Sequence, residues 1–434
     1  MSKFYQAFKL SVIVGCASPF IVCHAGEAAI SNSNLVHAFS TFQISPQVGV
    51  ENHAASPNGK QQLEQEDEGY YPEAGLIQGK DGNIYGTTRY GGVHDKGTVF
   101  KVTPDGTVTV LHSFGDSAND GANPQAGMVL GSDGNFYGTT RFGGDYNNGT
   151  MFMVALQPDG TVKETVAYSF AYAFTGAYPR TGVIQGKDGN FYGTTYSTGQ
   201  GFMGAVFRML RSQPGDFFFV QHEYPFQGPD GANPRASLIQ GKDGNFYGTT
   251  RSGGVYGKGV AFKIEVNSDG SLKETVLHSF SGGSDGADPR AGLIQGEDGY
   301  FYGTTYSGGV NGNGTVFQVK PNGVEVLHAF GGSDDGANPL GDLIQGSDGN
   351  FYGTTHSGGT HQIGTVFKVT PSGTETVLYS FGSSGGTDAS YPRAGLIQGS
   401  DGSFYGTTSA GGTYNVGTVF KVTPSGVETV LCSF

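Results

Sequence analysis

Tryptophan does not occur in this 434-residue chain, and cysteine occurs only three times. Cys16 and Cys23 fall within the first 25 residues, so a chain cut after Ala25 keeps Cys432 alone. One thiol makes neither an intrachain disulfide nor a cysteine metal cluster. Positive charge is also short, and the formal net charge is −13. That balance argues against nucleic acid or an anionic membrane as partner. Beyond residue 25 no apolar run is long enough to form a transmembrane span, and no long stretch has helical periodicity. Glycine is in excess at 76 residues, and its positions are periodic rather than scattered. Periodicity of that kind marks repeats, not disorder.

The tetrapeptide Tyr-Gly-Thr-Thr occurs seven times, starting at Tyr85, Tyr137, Tyr192, Tyr247, Tyr302, Tyr352 and Tyr405. The starts are 50 to 55 residues apart, the period of one supersecondary unit used repeatedly. The fifth unit shows its parts: Gly292 to Gly296, Tyr300 to Thr305, Gly314 to Val319 and Val326 to Phe330, separated by turn residues. Rich in Val, Ile, Thr, Phe and Tyr, these read as four strands, A to D. Asp-Gly fills every A–B connection, from Asp81-Gly82 to Asp401-Gly402, and Pro-x-Gly fills most C–D connections. Both are tight-turn chemistry. Apolar residues lie on both faces of several strands, as at Val99, Phe100 and Val102, so each sheet is covered on both sides. Four-stranded antiparallel units repeated radially predict an all-β fold, a seven-bladed β-propeller. A β-solenoid fits two hairpins per period poorly. The blades are placed at about 71–114, 123–170, 178–226, 233–280, 288–330, 338–381 and 391–434.

Residues 1–25 carry Lys3 and Lys9, an apolar stretch from Leu10 to Val22, and a small residue at Ala25. They read as a secretory signal peptide, which places the protein outside the cytoplasm, secreted or periplasmic. A lipobox-like reading of Ile13 to Cys16 is the alternative, with a lipid anchor at Cys16. Residues 26–70 form a linker in which Leu35 to Phe39 resembles an orphan D strand. It either helps to latch the ring or is a remnant.

The string Asp-Gly-Asn-[Phe/Ile]-Tyr-Gly-Thr-Thr, followed by Gly-Gly and Gly-Thr-Val-Phe-Lys-Val-Thr-Pro-x-Gly, is nearly whole at Asp81 to Gly106. It closely resembles the GloVer tandem repeat of bacterial secreted and surface proteins. The resemblance implies an extracellular propeller of unestablished biochemical role. The absence of tryptophan weighs against kelch and WD repeats. No carboxy-terminal sorting tail is visible, which puts anchoring at that end in doubt.

Variable positions on an otherwise uniform repeat are where function is sought. In a propeller the D–A and B–C loops share one rim, and here these are the long, varied connections. The residue after Tyr-Gly-Thr-Thr varies while its neighbours do not: Arg89, Arg141, Tyr196, Arg251, Tyr306, His356 and Ser409. Arg and Tyr offer planar faces and hydrogen-bond donors suited to a sugar or an acidic polymer. The competing use is packing between blades. Arg180, Arg235, Arg290 and Arg393 follow the loop prolines and are expected to pair with loop aspartates such as Asp285. Asp120, Asp230, Asp285 and Asp335 in the D–A loops are oxygen donors of the kind calcium takes, or turn-formers that satisfy their own backbone. No cofactor other than calcium is indicated.

His37, His112, His278 and His328 share a D-strand position that is Tyr168, Tyr224, Tyr379 and Cys432 elsewhere, which favours packing over catalysis or metal binding. His356 and His361 have no third ligand nearby in sequence for zinc. The third unit is the most irregular, with Arg208, Arg211 and Asp216 near its C–D segment, yet no nucleophile–base set or paired carboxylates stand out. The expectation is a secreted, non-enzymatic binding or surface-interaction protein with its ligand face on the long-loop rim, carbohydrate being the leading ligand. The alternatives are an extracellular glycan-active hydrolase or lyase, and a structural envelope or matrix protein.

Overall fold

The computed structural model describes residues 69–157, 161–172, 176–198, 203–211, 218–331, 334–383 and 388–434. The signal peptide, Cys16, the orphan strand and Asp216 lie outside them. Each repeat forms one antiparallel sheet whose strands follow one another in space as in sequence. In the first blade A is Ile77–Gln78, B Ile84–Thr88, C Thr98–Val102 and D Val108–Ser113. Val99, Phe100 and Val102 are all fully buried, so both faces of the C strand are covered by neighbouring blades. Seven such sheets make the seven-bladed propeller.

The recurring tetrapeptide is scaffold in every one of its four residues. In all seven units the tyrosine hydroxyl donates to the aspartate of its own A–B turn, as Tyr85 does to Asp81 at 2.7 Å. The ring of the same tyrosine stacks on the next blade, as Tyr192 does on Phe246 at 3.9 Å. The glycine lies opposite a C-strand phenylalanine: Gly138 pairs with Phe152, and a Cβ at Gly138 would stand 2.4 Å from that ring. In five blades the first threonine hydroxyl donates to a backbone carbonyl of the next blade, as Thr139 does to Thr181 at 2.7 Å. In five blades the second binds the hydroxyl of a C-strand threonine, as Thr88 does Thr98 at 2.8 Å, while Ala205 and Val260 stand opposite Thr195 and Thr250. Gly138→Ala is therefore expected to cost about 1–3 kcal/mol through overpacking, measured by denaturant unfolding. An unchanged midpoint would show that Phe152 gives way freely.

Between blades, the phenylalanine ending each D strand packs edge-on against the C-strand phenylalanine of the next blade. Centroid distances are 5.0 Å for Phe114–Phe152 and 5.1 Å for Phe280–Phe317. A register shift in every C–D pair, such as that between Val99 and Phe100, makes room for one extra D-strand residue. In the first blade this is Leu111, which packs into the core of the second. The ring closes by the same contacts and without a strand shared between the end blades among the described residues. Phe434 packs on Phe100 at 5.1 Å, Thr407 donates to the Ala74 carbonyl at 3.1 Å, and the Tyr71 N–H donates to the Val416 carbonyl at 2.9 Å.

Candidate functional site

The D–A and B–C loops do share a rim. D–A residues pair with the ends of the B strands, as in the bridges Ala177–Ser197 and Ala232–Ser252 and the ladder of Gly336 with Gly358. Each D–A loop then ends in the same turn. The residue before the loop proline has a left-handed backbone in all seven blades, with φ between 55° and 56° at Tyr71, Asn123, Tyr178, Asn233, Asp288, Asn338 and Tyr391. Asn and Asp accept that conformation readily, and tyrosine holds it under strain. Asn123, Asn233 and Asn338 also donate to the carbonyls of Arg89, Tyr196 and Tyr306 on the preceding blade. The turn aims the residue after the proline at the ring axis.

Those residues are Glu73, Gln125, Arg180, Arg235, Arg290, Leu340 and Arg393, one from each blade. Together with Arg89 and Arg141 they line a cavity of about 200 Å³. A cavity lined by equivalent positions of all seven blades lies on the axis, and it opens into a further space of about 430 Å³ along the inner A strands. One level inward Asp342 replaces the glycine or serine of the other blades and accepts the Gly292 N–H at 2.5 Å. Its surface opens onto the channel, but protein crowds it closely, and this burial pushes its carboxyl up.

Of the ring named from the sequence, Arg89 and Arg141 line this cavity, while Tyr196, Arg251, Tyr306, His356 and Ser409 are not among its lining residues. Arg89 holds both carboxylate oxygens of Glu73 at 3.3 Å, and Arg393 reaches Glu73 at 3.5 Å. Arg251 contacts Asp288 at 3.1 Å, and Arg290 binds the same carboxylate at 2.6 Å while lying 3.6 Å from the centre of the Tyr306 ring. His356 lies 5.3 Å from Tyr391, with a buried, unpartnered Nδ1. Burial first, then the positive charge of Arg393, holds its imidazole below the ordinary range. Ser409 is used internally, donating to the Tyr391 carbonyl at 2.9 Å.

Arg141, Arg180 and Arg235 make no ion pair among the described residues. Arg141 covers Phe142 at 4.7 Å, while Arg180 and Arg235 face Tyr196 at 4.3 and 5.5 Å. Burial, and then the like charges of Arg141 and Arg235, push Arg180 down to about 10. Burial acts to raise Tyr196, but the hydrogen bond from Arg235 and the charges of Arg235, Arg180 and Arg251 prevail, and its phenol sits below the usual value.

Of the pairing expected between these arginines and loop aspartates such as Asp285, Arg290 pairs with Asp288 of its own loop, while Asp285 itself takes no arginine among the described residues. Asp285 instead accepts from His278 at 3.0 Å and from the Ser281 N–H at 2.8 Å, folding its loop back on itself. The other loop aspartates do the same. Asp120 takes the Gly115 and Gly121 N–H groups at 2.5 and 2.6 Å, Asp230 takes Tyr224 and the Gln227 N–H at 2.7 Å, and Asp335 takes His328 at 3.0 Å and the Gly331 N–H at 2.9 Å. They stand one per blade as loop staples, and a calcium ion there would displace these donors. The groups best able to hold a metal are His112 with Asp120 and Glu164, and His328 with Asp335 and Glu375, each with ligand atoms within 4.8 Å. One imidazole with two carboxylates suits a first-row transition ion better than calcium. Arg208 and Arg211 bind Asp188 and Asp133 of the A–B turns, on the rim opposite the mouth.

The profile of the Gloeobacter/Verrucomicrobia repeat matches residues 71–295 and 238–434. The chain belongs to that repeat family. No curated protein matches it. Among solved structures it is similar to the BP39L lectin from Burkholderia pseudomallei, at 12% identity and a TM-score of 0.52, covering 85% of this chain and 97% of the lectin. It is also similar to a puromycin hydrolase, at 11% identity and a TM-score of 0.53, covering 88% of this chain and 56% of the hydrolase. At such identities the likeness is one of fold.

Proposed function

We propose that the protein is an exported, non-enzymatic binding protein that takes a carbohydrate ligand at the axial mouth of the D–A/B–C rim. One observation carries this reading. The residues that repeat are consumed by turns, cross-strand pairs and blade contacts, while the varied residues after the loop prolines, with Arg89 and Arg141, converge on a concave axial surface. The leader-like residues 1–25 support export. Tyr196 and the guanidinium planes over Tyr196 and Phe142 supply the stacking faces and donors that sugar rings use.

A glycan-array screen tests the reading. Selective binding is expected, with the signal reduced at least about tenfold when Arg89, Arg141 and Arg251 are replaced together by alanine, since each removes charge-assisted donors. Unchanged binding in that variant would remove the mouth as the site. Turnover of a bound glycan, seen as new reducing ends or unsaturated sugars, would replace binding by catalysis. In the same material, calcium is expected to leave the melting temperature unchanged. A calcium-dependent rise would assign the loop aspartates to a cation instead.

A further inference from the structure

We propose that the half of the mouth formed by Arg141, Arg180 and Arg235 around Tyr196 is a receptor for an anionic group, a carboxylate or sulfate borne by an acidic glycan. The inference rests on the glycan-binding reading and makes it more specific. Six arginines line the mouth and Arg251 joins them through Asp288, but among the described residues their carboxylate partners are Glu73 and Asp288 alone. Those two serve Arg89, Arg393, Arg251 and Arg290. The remaining three come from consecutive blades and have no counter-charge among the described residues.

These three guanidinium groups are also built to be occupied. The Nε atoms of Arg141, Arg180 and Arg235 are buried with no hydrogen-bond acceptor, and a buried donor without an acceptor is costly. Aromatic rings fix the guanidinium planes of Arg141 and Arg180, leaving their N–H edges as donors. Burial first, and then the like charges of Arg141 and Arg235, loosen the hold of Arg180 on its proton. An anion between them would quench that repulsion and supply the missing acceptors at once. The chain as a whole carries −13, so this concentration of positive charge is local and opposes the general field. A surface that merely attracts polyanions would be basic over a wide area. Here the charge is gathered in a cavity of about 200 Å³, enough for one acidic group and part of its ring.

Titration calorimetry on the wild-type protein with an oligogalacturonate, a sulfated oligosaccharide, a neutral oligosaccharide of the same length and free sodium sulfate provides the test. At least one acidic oligosaccharide is expected to bind, and to bind about tenfold or more weakly when salt rises from 50 to 500 mM, as screening requires. Arg180→Gln and Arg235→Gln should each weaken that binding about tenfold, whereas Arg211→Gln, on the rim opposite the mouth, should change it little. Arg180→Gln should also raise the melting temperature of the ligand-free protein, because it removes a repelling charge. A purely packing role would lower it. Arg180→Lys, which keeps the charge and loses the planar fork, should fall between the two. Neutral and acidic oligosaccharides binding alike, without salt dependence, would overturn this inference and leave the glycan reading standing. Binding of free sulfate with no oligosaccharide bound would do the reverse.

Discussion

Phe434→Ala should destabilise the ring by about 3–5 kcal/mol, the range for emptying a buried phenylalanine site. Phe434 is 1% exposed and lies among Leu76, Ile84, Phe100, Val102 and Val419, so its ring joins the seventh blade to the first. The six other blade interfaces have the same edge-on phenylalanine pair, and truncating Phe280, for example, should create a similar cavity. The consequences should nevertheless differ. At Phe280 the chain itself still connects the two blades. At Phe434 no peptide link holds the end blades together and no described strand crosses between them, so the interface depends on side-chain packing and a few hydrogen bonds. The aromatic contact is weaker there too, because Ile84 stands where other blades present a phenylalanine to the preceding tyrosine. Chemical denaturation should show the predicted loss for both variants. Limited proteolysis should cut within the first or seventh blade well before global unfolding only in Phe434→Ala. Equal protease resistance of the two variants would mean that closure does not limit the stability of the ring.

The second large effect is on pH. Glu164, Glu223, Glu274, Glu375 and Glu428 lie on D strands, each with a buried Oε1 that has no hydrogen-bond partner. Burial raises all five to about 7. The negative charges of Asp116 and Asp120 at Glu164, Asp230 at Glu274, Asp335 at Glu375 and Asp388 at Glu428 act in the same direction. His112 and His328 oppose this at Glu164 and Glu375. A carboxyl whose folded pKa exceeds its unfolded one binds its proton more tightly when folded. Its contribution is complete below about pH 4.5 and is lost as the pH rises through 7. His112 is raised as well, and its contribution is also lost on the alkaline side. The turn and loop aspartates have the opposite sign: Asp81, Asp120, Asp285 and Asp335 are lowered, so their contribution is lost only as the pH falls through the lower carboxylate range. Stability should therefore peak between about pH 4 and 5. Solvent screens the more exposed glutamates, and a net loss of about 2–4 kcal/mol is expected between pH 5.5 and 8.5. Replacing the five glutamates by glutamine should flatten the alkaline limb. Melting curves from pH 4 to 9 decide the matter, and a melting temperature higher at pH 8.5 than at 5.5 would overturn it.

The fold was legible because its signals are local. Asp-Gly and Pro-x-Gly specify tight turns within a few residues, and the β-branched and aromatic runs between them specify strands. Repetition of the unit then leaves a propeller as the way to cover both faces of each sheet. The variable position after Tyr-Gly-Thr-Thr could be picked out for the same reason, since its neighbours are constant. The residues after the loop prolines carried a weaker signal. Arg290 does pair with a loop aspartate, but with the left-handed Asp288 before its proline, whose turn sends the chain inward and leaves Asp285 to its own loop. A local pattern also does not show that the tyrosine hydroxyl caps its turn or that the first threonine links two blades. Both depend on contacts across the sheet or the ring.

Seven blades, four strands in each and the rim that carries the long loops follow from the amino-acid order, because turn chemistry and side-chain alternation act over a few residues. Which arginines face the axis, which of them share Glu73 and Asp288, and which three remain uncompensated arise only when the blades close. Arg393 and Glu73 come from opposite ends of the folded chain, and the charge balance of the mouth is a property of residues that meet only in the ring.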